Sequence, residues 1–295
     1  MNRFLVASLC SVALITPAAF AQADNPLVQQ GSVGPNKAAP TAKAATDLRM
    51  PTEWAGERFI VLPSLKKNRH YGTPTAEYID DASEGKTFTI EQFDTNTGVI
   101  VFKDPHTGKR ALASFEDGAV PGIAPVRDIE YAREKWMGKT LWLKTAALQT
   151  YDAEKDELGV FAVAKLTPVT VTNIVAGFSN RAPVRFVVKT AAGDSGFVDV
   201  NLSNTNVPLE SLGRNLFDHM FFEKDPKTLK WSAKVMEAVA ASSIFVGMTP
   251  EQVIAGWGVP ERINRTTRKD GVDEQWVYGE NYVYFVNGVV DAIDH

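Results

Sequence analysis

From Trp54 to about Pro208 apolar and polar positions alternate in short runs. Val, Ile, Phe and Thr dominate these runs, and Gly, Asp, Asn and Pro separate them. A period of two with such punctuation predicts a succession of short antiparallel strands. From about Asp225 the spacing lengthens. In "DPKTLKWSAKVMEAVAASS" the apolar residues Leu229, Ala233, Met236 and Val239 or Ala240 recur at helical intervals. Asp225 is placed to cap that helix, and Pro226 to occupy its first position. A second, shorter helix is predicted at Thr249-Pro250-Glu251-Gln252. Thr249 is the cap, Gln252 completes a capping box, and Gly258 with Pro260 stops the helix after about two turns. Val253, Ile254 and Trp257 make its apolar face.

The β-rich region is internally repetitive. "GERFIVL" begins at Gly56 and "GKTLWLK" at Gly138; "KTFTIEQ" at Lys86 is answered by "VTVTNIV" at Val169. "VIVFKDPHTGKRALASF" at Val99 is answered by "VRFVVKTAAGDSGFVDV" at Val184. The near-constant offset divides the region into residues 52–127 and 128–208, each with about five strands. Ile129, Ala132, Arg133 and Trp136 predict a helical lead-in to the second half that ends near Gly138. The pattern resembles tandem bacterial SH3-like barrels.

Beyond the short second helix, "DEQWVYG", "NYVYFV" and "VVDAI" predict an antiparallel meander. Lys269-Asp270-Gly271 and the Asn287-Gly288 pair mark its turns. By period two, Trp276 and Tyr278 share one face, and Tyr282, Tyr284 and Val286 share another. The run Gly247-Met248-Thr249, then Gln252, Val253, Gly258 and Pro260, then the aromatic strands and the Asn287-Gly288 hairpin, resembles the SmpA/OmlA (BamE-like) fold over about the last 55 residues. That resemblance implies a cell-envelope interaction module without catalysis. The expected fold is therefore multidomain: two mainly-β SH3-like small barrels, then a helical connector and a BamE-like α+β domain over 209–295. Trp276, Tyr278, Tyr282 and Tyr284 are candidate partner contacts, since exposed aromatics mark contact sites.

The chain opens "MNRFLVASLCSVALITPAAFAQA". A basic start, a short apolar run broken at Pro17 and small-x-small sites ending at Ala21 and Ala23 read as a signal peptide over 1–23. Residues 24–51, rich in Ala, Pro, Gln and Thr, read as a disordered linker. The expected location is the periplasm. Cys10 is the sole cysteine and lies within the leader, with Leu9 where lipidation needs a small residue. No other stretch approaches the ~20 apolar residues of a membrane span. Losing Arg3 with the leader takes the net charge from −4 to −5, which argues against a nucleic-acid partner.

Candidate chemistry is sparse. "GDSG" around Ser195 spells a protease motif, but in the repeat Ser195 falls on Arg110, and both copies place the segment between two apolar strands. A triad needs a base held by a carboxylate. His70, His106, His219 and His295 lie in unrelated settings without metal-ligand spacing. Asp80-Asp81 and Asp152/Glu154/Asp156/Glu157 read as solvated loops. No catalytic, cofactor or metal residue is expected. The leading expectation is a secreted, non-catalytic scaffold protein with an envelope protein partner. A protein that binds peptidoglycan or stem peptides through the barrels is the alternative, and a hydrolase the second alternative. The oligomeric state is left open.

Overall fold

A computed structural model describes residues 47–63, 65, 84–115, 117–268 and 271–295. The leader, the linker up to residue 46, His70, the Asp80-Asp81 pair and the Lys269-Asp270 turn lie outside the described residues. The first sheet takes β1 (Arg58–Val61), β2 (Thr87–Asp94), β3 (Val99–Lys103), β4 (Arg110–Ser114) and β5 (Ile123–Pro125) in the order β4-β3-β2-β1-β5. Its inward residues Phe59, Val61, Phe88, Ile90, Ile100, Phe102, Ala111 and Ala113 close on Trp54, whose indole N–H donates to the Leu48 carbonyl at 2.9 Å. The strands alternate buried and open positions, as one packed face requires.

Helix α1 (Val126–Trp136) follows directly and buries Val126, Asp128, Ile129, Ala132 and Trp136. Gly138, at φ +73°, turns the chain into β6 (Thr140–Leu143). Next come β7 (Ala147–Asp152), β8 (Glu157–Ala162), β9 (Pro168–Ser179), β10 (Ala182–Thr190) and β11 (Ser195–Val200). A one-turn helix α2 (Phe217–Met220) leads into the two-residue strand β12 (Phe221–Phe222). The sheet order is β12-β6-β9-β10-β11-β7-β8. The series β5-β1-β2-β3-β4 of the first sheet and β12-β6-β9-β10-β11 of the second thus run alike. The second copy adds the β7–β8 hairpin, which pairs onto β11.

The third group is α3 (Ala233–Ala240), α4 (Pro250–Trp257) and the meander β13 (Arg262–Arg268), β14 (Gly271–Tyr278), β15 (Asn281–Val286), β16 (Val289–Asp294), in sequential order. Ser232 caps α3 by accepting from the Val235 N–H, and Thr249 caps α4. The β15–β16 turn has Asn287 at φ 51° and Gly288 at φ 80°, the pair of left-handed residues that a tight hairpin demands. Changing both to Val forces β-branched side chains into that region. The expected loss is about 2–4 kcal/mol, read as a lowered melting midpoint. An unchanged midpoint would refute the requirement.

The expected architecture of two small barrels and an α+β domain is corrected here. The described chain is mostly β: sixteen strands in three antiparallel sheets, with four short helices. Each ladder runs from one edge strand to another without closing on itself. Toward the C-terminus a pair of eight-residue helices accompanies a larger sheet, so the BamE-like α+β domain is not what the structure presents. The physical reason lies at Leu229. Asp225 does cap, accepting from the Lys227 N–H, but Leu229 swings to ψ 141° and ends the turn after Pro226–Thr228. The helix restarts at Ala233 with Val235, Ala238 and Val239 inward, rather than the stripe through Met236.

The three groups are built into one another. β12 pairs with β6 so that Phe221 and Leu143 enter the second core while Phe222 and Trp142 face the third. Lys165 donates to the carbonyls of Ala255 (3.0 Å) and Gly256 at the end of α4, where a cation offsets the helix dipole.

Candidate interaction face

The antiparallel register of β13–β16 assigns every side chain to one of two faces. Ile263, Trp276, Val283 and Ile293 form one rung. It lies on the side that packs with Val235, Val239, Met248, Val253 and Ala255 from the α3–α4 segment, and Phe285 and Val290 extend it. Trp276 is therefore buried, 3% exposed, with its ring 4.5 Å from that of Phe285 and its N–H donated to Glu274 at 2.8 Å. Tyr278 lies half-buried on the same side, edge-on to Trp257, and its hydroxyl donates to the Gly258 carbonyl at 2.9 Å. Burial raises its hydroxyl above the ordinary tyrosine range. These two of the four predicted contact aromatics are spent on the core.

The other two face outward. Tyr282 continues the rung Arg262–Val277–Tyr282–Asp294, and Tyr284 the rung Asn264–Gln275–Tyr284–Ala292. The second rung is a hydrogen-bonded row: Asn264 Nδ2 donates to Gln275 Oε1 at 2.8 Å, and Gln275 Nε2 to the Tyr284 hydroxyl at 3.0 Å. Val286, 39% exposed, follows on the same face. Two partly exposed tyrosines, one of them held by an amide side chain, with an arginine at one edge and an aspartate at the other, have the composition of a protein contact surface.

The remaining motif residues are fold-building. Gln252 Oε1 accepts from the Thr249 N–H at 2.9 Å and the Thr249 hydroxyl accepts from the Gln252 N–H at 3.4 Å. Gly258 takes φ 89° at the helix end, and Pro260 is buried behind it. Gly247, at φ 96°, donates to the Val290 carbonyl, and Val290 donates back to Met248, whose side chain is fully buried.

Ser195 is exposed at the first position of β11, opposite Lys189. The preceding turn is closed by Thr190 and Asp194, with Gly193 at φ 99°. His106 belongs to the β3–β4 turn, where Asp104 accepts its backbone N–H. His219 sits on α2, its ring pKa lowered by burial and then by Lys144; His295 contacts Asn281. Asp152 organises its own turn, and Asp156 is buried, accepting from the Tyr151 hydroxyl at 2.7 Å. Among the described residues no group of three or more potential metal ligands comes together, and no helix is long and apolar enough to cross a membrane.

Two features escaped the sequence reading. One is a buried ion pair on the second sheet: Arg185 meets Asp199 through two 2.8 Å hydrogen bonds, its guanidinium between the rings of Phe178 and Phe197. The other is a polar joint between the first two sheets. Asn206 accepts from the Val120 N–H at 2.6 Å and donates to the Val120 and Ile123 carbonyls at 2.9 and 2.8 Å. Asn180 reaches the same carbonyls and accepts from Gly122. Beside them the Ser203 hydroxyl donates to the buried carboxylate of Asp128 at 2.6 Å. The signal for this joint was the asparagine density of "NLSNTN", because Asn tolerates left-handed backbone; Asn204 and Asn206 have φ 50° and 57°. Comparison with known families, with curated proteins and with solved structures finds no match to the chain.

Proposed function

We propose that this is a secreted envelope protein that acts by binding a protein partner rather than by catalysis. The outward face of β13–β16 is the contact surface. The observation that carries this reading is the position of Tyr282 and Tyr284. Both stand partly exposed on the face away from α3 and α4, and Tyr284 is held by Gln275, which Asn264 holds in turn. Large, stiff, amphipathic side chains of this kind dominate contact energetics because they lose little rotamer freedom on binding. The leader-like N-terminus supplies the compartment in this reading.

Photo-crosslinking groups placed at Tyr282 and Tyr284 in the host envelope test it. One dominant protein adduct is expected, and Tyr282→Ala with Tyr284→Ala should weaken capture by about tenfold or more. Wall-peptide adducts on the first two sheets, with none at Tyr282 or Tyr284, would replace this reading with the wall-binding one.

A further inference from the structure

The β7–β8 hairpin, which the first sheet lacks, makes β8 an edge of the second sheet. From Leu158 to Ala162 that edge reads Leu-Gly-Val-Phe-Ala, without a charge. The Val163 N–H donates to the Ala146 carbonyl, toward β7. Backbone direction alternates along a strand, so Gly159 and Phe161 also turn toward β7. Leu158, Val160 and Ala162 then aim their N–H and C=O groups at the open side. Among the described residues no backbone group outside β7 bonds to β8. The side chains of Leu158, Val160 and Ala162 stand on the face away from Leu148 and the second core, and all are exposed. Val160, 69% exposed, is more open than any other large apolar side chain among the described residues, and Leu158 is 46% exposed.

The other edges are guarded or short. β13 carries Arg262 and Arg265, and on β4 Arg110 is held by Glu91. On β16 the backbone of Val290 is already bonded to Gly247 and Met248. β5 and β12 span three and two residues. A bare apolar edge is a template for another strand.

We infer that β8 pairs with β8 of a second copy of this chain, antiparallel about a twofold axis that passes between the two Val160 residues. The sequence itself selects this occupant. Read against its own reverse with Val160 at the centre, Leu158 meets Ala162 of the copy and Gly159 meets Phe161, so each large side chain faces a small one. In that register every outward N–H of Leu158, Val160 and Ala162 meets an outward carbonyl, and exposed side chains stay on one face. No charge lies between Leu158 and Ala162 to repel an identical strand. The contact uses one patch on both molecules, so it closes as a dimer. It leaves β13–β16 untouched, and capture of a partner at Tyr282 and Tyr284 is read separately from it.

Sedimentation velocity of the purified protein over a concentration series is the test. The average mass should rise to that of a dimer and no further, and high salt should not reverse the rise, because the contact is apolar. Val160→Lys or Val160→Glu alone should weaken the dimer by about tenfold or more, since each sets like charges face to face. An equimolar mixture of the two should restore it, because residue 160 then meets the opposite charge. Val160→Pro removes an outward N–H that β7 does not use, so it should also weaken the dimer and leave the monomer folded by circular dichroism. Leu112→Lys, on the exposed face of β4, should change nothing. A monomer at every concentration would overturn the inference. So would growth beyond a dimer, an association that salt dissolves, one that Leu112→Lys removes, or one that the mixture of charged variants fails to restore.

Discussion

Replacing Asn206 with Ala is expected to lower stability by about 3 kcal/mol, because a buried N–H loses its acceptor and a methyl group is held in left-handed backbone. The amide of Asn206 is 2% exposed and makes three hydrogen bonds to Val120 and Ile123. Asn180 still serves both carbonyls, so the uncompensated group is the Val120 N–H. Asn206→Gly loses the same bonds but relieves the backbone at φ 57°, so it should recover about 1 kcal/mol relative to the Ala variant. The measurement is thermal unfolding of both variants beside the parent protein. Because the lost bonds join the first sheet to the second, the melt should also split into two transitions. Coincident melting of all three proteins would show that the joint contributes nothing.

The second large effect is a pH dependence at the same joint. Asp128 is 1% exposed, and its carboxyl is raised from 3.8 to about 6. Burial is the main cause. The Ser203 hydrogen bond and Arg127 pull it back down, and the negative charges of Glu57 and Asp47 push it up. Arg127 lies 3.8 Å from both Glu57 and Asp128, and it donates to Thr205 at 2.8 Å. Between about pH 4 and 6 the folded chain holds a proton that the unfolded chain has released. Stability from this group is therefore fully present below about pH 4 and is lost as pH rises through about 6. At neutral pH the buried charge costs at most about 3 kcal/mol. Asp128→Asn keeps the shape and removes the charge, so it should melt higher than the parent at about pH 7.5 and close to it at about pH 4.5. Parallel melting curves for the two proteins across that range would sink the argument.

How much of this was legible depended on the range of the interaction. The cap at Thr249, the return bond from Gln252 and the Asn287-Gly288 turn are written in adjacent residues, and their geometry follows from backbone conformation alone. The two faces of β14 and β15 were likewise separable by parity. Which face meets the helices was not, because that depends on the path from α4 into β13; Trp276 and Tyr278 consequently turned inward. The predicted helix at Asp225 had a sound cap and still failed, since Leu229 and Trp231 gain more by packing on the third core than by continuing a turn. Asp128 lies one helix turn from its own strand but 75 residues from Ser203, and no local pattern announces that pairing. Single-chain periodicity reports faces and turns. It does not report which distant loop fills a polar gap.

The shared strand β12 has a consequence for how the chain comes together in time. The second core needs Phe217, stacked on Trp136 at 4.0 Å, and Phe221, opposite Leu143. Both arrive well after the last long strand of that sheet, β11, which ends at Val200. A chain emerging from its amino end must therefore carry β6 with a bare edge, and Trp136 without its stacking partner, until residues 217–222 dock. The same segment then begins the third core through Phe222 and Trp231, 5.9 Å apart. A fragment ending at residue 208, the boundary that composition alone marks, would be trapped at that stage. It would hold an open strand edge and uncovered aromatic surface, the features from which aggregation starts. The latch of the second sheet is the first contact of the third, so the smallest piece able to complete the second sheet runs past Phe222.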